Sequence, residues 1–207
     1  GESHWNLNIQ RLHQRLVVAL AEKLPVKGVL CELNYSFSAP FTHYVQLEKD
    51  EDAELLMKEY LSKLIHMNGT RELLEGIRKF NKTHSNKKLK VGCHDLEWNH
   101  EPVIIHIVYP YVSQIDPGFS IYGKDLHNQA KYRKLLDRLW QMVWNHPPVK
   151  VEKRPFLNKE YLIEVLQNLK DTARHDGSFP NRHKMIQRNL TAFHKDWFQT
   201  PGLVILN

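Results

Sequence analysis

Apolar residues recur along this chain in two patterns: stripes at helical spacing and short continuous runs. Over 7–24, Leu7, Ile9, Leu12, Leu16, Leu20 and Leu24 recur mostly three or four apart, with Arg, Gln and Lys between them. That spacing predicts an amphipathic helix burying the leucine stripe. Pro25 stops it and Gly28 frees the chain to turn. Val29-Leu30-Cys31 is the kind of run a strand buried on both faces requires, and Glu32 stands at its carboxyl end. Residues 34–47 read as a loop with a short helix interrupted at Pro40. Leu55, Leu56, Tyr60, Leu61 and Leu64 predict a helix over 52–65. Thr70 then caps another helix, whose buried face is Leu73, Leu74 and Ile77. After a polar loop over 81–88, Leu89 to Cys93 predicts a second strand, followed by His94-Asp95-Leu96-Glu97.

Helical periodicity dominates the second half. The segment 102–116 fits either state: Val103-Ile104-Ile105 favours a strand, whereas Pro110 and the pattern after it allow a helix. Tyr132, Leu135, Leu136, Leu139, Trp140 and Val143 predict a helix over 124–144, with the Trp140 and Trp144 pair as core. Tyr161, Leu162, Val165, Leu166 and Leu169 predict one over 159–172, and a shorter helix follows over 183–193. Leu203 to Leu206 reads as a third buried strand. The order of elements predicts one α/β domain over 1–207. Its sheet is open and mainly parallel, flanked by helices, with a helical insertion in the second half. A helix that precedes its strand also implies a first strand before Gly1. In such sheets the ligand crevice lies beyond the carboxyl ends of the strands. Glu2, His4, Glu32, His94, Asp95 and Asn207 all fall at positions of that kind.

Composition narrows the classes. With 42% hydrophobic and 25% charged residues the chain is ordinary for a globular protein. No apolar run approaches the ~18 residues of a membrane span, and a soluble, cytoplasmic protein is the expectation. The net charge of +6 comes from 29 basic and 23 acidic residues. Apart from Lys87-Lys88-Lys90 the basic residues are dispersed, which fits a solvated surface better than a specific nucleic-acid partner. Cys31 and Cys93 end predicted strands and read as buried small hydrophobes, not as a disulfide framework. There is no His-Glu-x-x-His or paired-cysteine spacing, so no metal is required, although Glu2, His4, Glu32, His94 and Asp95 are all potential ligands of a divalent ion.

Several of these stretches resemble one known group. Gly1-Glu2-Ser3-His4, a helix, and then Val29 to Glu32 resemble the opening of the erythromycin esterase-like and ChaN-like superfamily. The helix Glu72-Leu73-Leu74-Glu75-Gly76-Ile77-Arg78-Lys79-Phe80-Asn81, the strand Val91-Gly92-Cys93-His94-Asp95 and Ile115-Asp116-Pro117 are similar to its succeeding motifs. Arg182, Met185 and Asn189 resemble a further Arg, Met, Asn stretch at shifted spacing. The resemblance covers roughly 1–117. It implies a hydrolase in which His4 is the general base, Glu2 or Glu32 orients it, and Asp95 is a further acidic group. His94, Tyr35, Arg71 and Asn207 are the expected substrate-binding residues, and the ligand is a small molecule. No cofactor is expected for this activity. A single residue between Glu2 and His4 looks more like the haem-binding ChaN-like branch, which leaves a non-enzymatic haem or small-ligand domain, or a degenerate domain of a larger effector, as alternatives. Haem would need an exposed His or Tyr as axial ligand.

Overall fold

A computed structural model describes residues 7–65, 68–174, 184–189 and 203–206 of the chain. Its fold is mixed α/β, with a small open sheet and a large excess of helix. Contacts divide the chain into two compact units. The first comprises Gly1–Leu33, Phe37–Asp95 and Arg188–Asn207, and the second Asn34–Ser36 and Leu96–Gln187.

The first unit holds the sheet. β1 (Gly28–Asn34) is central, between β2 (Lys90–Asp95) and β3 (Leu203–Leu206). β1 and β3 pair in parallel, with Val29 opposite Val204 and Cys31 opposite Leu206. The Lys90 N–H donates to the Lys27 carbonyl at 3.1 Å, joining the approach to β2 to the approach to β1. Both strands outrun their apolar cores, because Glu32 lies inside β1 and His94 and Asp95 inside β2. Val29, Leu30, Cys31, Val91 and Cys93 are buried, as the apolar runs predict.

β2 is an edge strand, and side chains seal its outer edge. The Cys93 N–H donates to Ser38 Oγ at 2.8 Å, and the same hydroxyl donates to the Cys93 carbonyl at 3.1 Å. Thr42 treats Val91 alike, accepting from its N–H at 3.0 Å and donating to its carbonyl at 2.7 Å. Ser38 and Thr42 are one turn apart on α2 (Ser38–Gln46), so both hydroxyls face the strand. Asn81, on α4 (Asn68–Thr83), completes the row. Its Oδ1 accepts from Leu89 N–H at 2.7 Å, and its Nδ2 donates to the carbonyls of Leu89 (2.9 Å) and Val45 (2.8 Å). Unpaired strand edges invite pairing with other chains, and these groups close this one from within.

The helices depart from the sequence pattern in instructive places. In α1 (Leu7–Lys23) Leu12 is 62% exposed and Leu16 is also exposed, as is Leu24 just beyond the helix, while Val17 and Ala21 are buried. The helix packs on α4 through small and polar side chains. Gln14 fills the space that a Cβ at Gly76 would occupy, and Arg11 pairs with both Glu72 oxygens at 2.7 and 2.9 Å. The region 34–47, expected as a loop with a short helix interrupted at Pro40, holds the end of β1, a 3-10 turn and α2; Pro40 does not interrupt the helix because it falls in the first turn, where its missing N–H costs nothing. The helix expected over 52–65 is α3 (Asp50–Glu59), which breaks at the buried Tyr60 before a 3-10 turn over Leu61–Lys63. The next begins at Asn68, so Thr70 lies inside α4 instead of capping it.

The second unit is helical. The ambiguous 102–116 segment is helical as far as Ile115: α5 (His100–Val103), a π turn over Ile104–Val108 and α6 (Tyr109–Ile115). Val103, Ile104, Ile107, Val108, Tyr111 and Val112 are all buried, a helical stripe that outweighs β-branched propensity. The wide turn precedes Pro110, which has no N–H to donate into a regular ladder. α7 (Gly123–Leu126), α8 (Gln129–Asn145) and α9 (Lys159–Arg174) follow. Asn128 caps α8 by accepting from Lys131 N–H at 3.0 Å, and Asn158 accepts from Tyr161 N–H at 2.9 Å at the start of α9. Leu136, Leu139 and Val143 of α8 and Leu162, Val165, Leu166 and Leu169 of α9 form the core of the pair. Trp140 and Trp144 are not core. Their rings stack on each other at 5.8 Å, Trp144 is 56% exposed, and the Lys170 ammonium lies over Trp140.

Candidate functional site

In the first unit, ionisable residues stand where the strands end. Glu32 is half-buried in β1; His94 and Asp95 are buried in β2. The buried Asn189, on a helical turn over 184–189, donates through Nδ2 to the His94 carbonyl at 3.2 Å. That bond fixes the backbone that carries both His94 and Asp95. Burial makes an isolated carboxylate costly, so residues of this type are retained where something pairs with them or uses them. The sequence pattern singles out Glu32, His94 and Asp95; what it misses is that the strands themselves carry them, which fixes their alternation across the sheet.

The second unit contains a buried polar cluster of its own. Glu97 is completely buried, and its carboxylate accepts from the Ser36 N–H and the Ser36 hydroxyl, both at 2.8 Å. The Glu97 N–H in turn donates to Thr172 Oγ1 at 3.2 Å. The Tyr161 hydroxyl donates to the Ser36 carbonyl, and the Tyr35 hydroxyl to the Glu164 carboxylate. Tyr132 is buried beside them, and its hydroxyl has no hydrogen-bond partner among the described residues. Burial, reinforced by the charge of Glu97, pushes this phenol well above its ordinary range, so it stays protonated. Both carboxylate oxygens of Glu97 are engaged by Ser36. The cluster therefore acts as a clamp that holds 34–36 to the helices of its unit.

The expected site residues fall into separate settings. Glu32, His94 and Asp95 share the first unit and the strand ends. Tyr35 belongs to the second unit, with its hydroxyl committed to Glu164. Arg71 lies on α4, where its guanidinium pairs with Glu75 at 2.9 Å. Glu2, His4 and Asn207 lie outside the described residues. Ser36 and Glu164 were not marked by sequence, because an isolated Ser and a helix-surface Glu carry no spacing signal. Asn189 was marked only by the resemblance. Among the described residues no cluster of three or more His, Cys, Asp or Glu is arranged to hold a metal ion, and no helix is long and apolar enough to cross a membrane.

Comparison with protein-family models, curated proteins and solved structures gives no match for this chain.

Proposed function

We propose that the chain is an esterase-like hydrolase whose reactive centre lies at the carboxyl ends of β1 and β2. The observation that carries this reading is the concentration of Glu32, His94 and Asp95 within those two strand ends, with Asn189 bracing the backbone of the last two. In an open sheet this is the end at which ligands bind. Extending the bond between Lys90 and Lys27 along an ideal parallel ladder brings Glu32 alongside His94, in keeping with a mainly parallel sheet.

In this reading the His4 imidazole takes a proton from a water molecule as its oxygen attacks the ester carbonyl carbon. The tetrahedral intermediate then collapses, and the leaving alkoxide takes that proton back from the imidazolium. Histidine suits the role because its pKa lies near neutrality, and Glu2 or Glu32 would orient the ring and stabilise its charged form. Asp95 supplies a second carboxylate, and His94 contacts the substrate. No cofactor enters the reaction.

The His4→Ala chain, assayed against a panel of short-chain and aromatic esters, is expected to lose about a hundredfold or more in kcat, the share a general base contributes. Unchanged turnover in that variant would remove His4 from the mechanism. Absence of turnover in the wild-type chain, together with a Soret band on titration with haem, would instead assign it to non-enzymatic haem binding.

A further inference from the structure

A cleft of about 570 Å³ opens on the first unit between α3 and α4, within the ~300–1,000 Å³ range of small-molecule sites. Glu32, His94 and Asp95 do not line it. Its lining charges divide into committed and uncommitted groups. Asp50 is held by Arg78 at 2.7 Å and by Lys82 at 2.8 Å. Arg78 is further fixed by donating to the carbonyls of Leu47 (2.9 Å) and Glu48 (3.3 Å). Glu75 is taken by Arg71 one turn away.

Three polar groups that would favour an anion remain. Lys58 and Lys79 have no ion pair among the described residues, and the hydroxyl of Tyr44 makes no hydrogen bond there. Against them stands a single uncommitted carboxylate, Glu54. The body of Tyr44 is buried, and burial, followed by the charge of Glu75, raises its phenol above the ordinary range, so the group is a standing donor. Met57 and Ala53, both buried, supply an apolar wall to the same cleft. Two ammoniums and a phenol without partners among the described residues, together with an apolar wall, make an amphipathic, donor-rich site.

We propose that this cleft binds a small organic anion, a carboxylate or phosphate-type group on an apolar body. Lys58, Lys79 and Tyr44 engage the acidic group, and Met57 and Ala53 pack on the body. The site is separate from the strand-end centre and does not depend on the hydrolase reading.

Calorimetric titration of the full chain with naphthalene-2-carboxylate, naphthalene-2-phosphonate and neutral 2-naphthol tests it. At least one anion is expected to bind roughly tenfold more tightly than 2-naphthol, and which one does so distinguishes carboxylate from phosphate ligands. Lys58→Ala and Lys79→Ala, both at exposed positions, are each expected to weaken that anion about three- to tenfold, and Tyr44→Phe about threefold. His4→Ala is expected to bind it as the wild type does, which separates this site from the proposed reaction. Equal binding of 2-naphthol, no binding of either anion, or affinity unchanged in both lysine variants would overturn the proposal.

Discussion

Asn81→Ala is expected to destabilise the chain by about 3–5 kcal/mol, among the largest effects available to a single substitution. One buried amide satisfies the Leu89 N–H, the Leu89 carbonyl and the Val45 carbonyl, and Ala leaves all three without a partner. Each stranded buried group costs about 1–3 kcal/mol, less whatever water or backbone relaxation recovers. The loss also uncouples α4 from both the start of β2 and the end of α2. Urea unfolding of the variant beside the wild type measures it, and a loss below about 1 kcal/mol would mean that the three groups find other partners.

The paired substitution Ser38→Ala with Thr42→Val is expected to cost about 4–6 kcal/mol, from four backbone groups of Val91 and Cys93 at about 1–3 kcal/mol each with partial recovery. The two sites serve one strand edge, so the single effects should not simply add. Val keeps the shape of Thr, which makes the hydroxyl the tested variable at position 42. Amide hydrogen exchange gives a second readout: Val91 and Cys93 should exchange faster, while Val29 and Leu30 in the central strand change less. An unsealed edge also exposes strand groups to other chains, so the variant should aggregate at lower concentration than the wild type. Uniform acceleration across the sheet, with no preference for β2, would show that the hydroxyls do not seal the edge specifically.

These bonds mark the limit of what the sequence discloses. Apolar runs locate the strands correctly, since Val29 to Cys31 and Leu89 to Cys93 need no information beyond their own continuity. Ser38, Thr42 and Asn81 carry no such mark, because their task depends on which strand lies beside the helix. The α1 stripe shows the opposite failure. Its leucines repeat at helical spacing, yet the close approach of α4 at Gly76 selects the narrower face with Val17 and Ala21. Residues 103–112 carried both signals, and the repeating pairs at 103–104, 107–108 and 111–112 were the better guide than β-branched content. Trp140 and Trp144 satisfy each other by stacking, which a stripe cannot distinguish from core packing.

The candidate site was legible in part for a similar reason. Ionisable residues after an apolar run are visible in any sequence, so Glu32, His94 and Asp95 could be marked before their strands were seen. Partners supplied from distant segments were not visible: Asn189 reaches the His94 carbonyl from the far end of the chain, and Glu97 reaches Ser36 within the helical unit. The Tyr35 hydroxyl likewise has a partner, Glu164, that its position along the chain does not disclose.

The most direct test of the strand-end centre is the kcat/KM for ester hydrolysis of the wild-type chain and of Glu32→Gln, which keeps the shape of a half-buried side chain and removes its charge. Turnover by the wild type and a fall of about a hundredfold or more in the variant, at unchanged thermal stability, are the results expected if Glu32 supports the general base. Equal kcat/KM in the two proteins would contradict a part for Glu32 in the reaction and take the end of β1 out of the reactive centre.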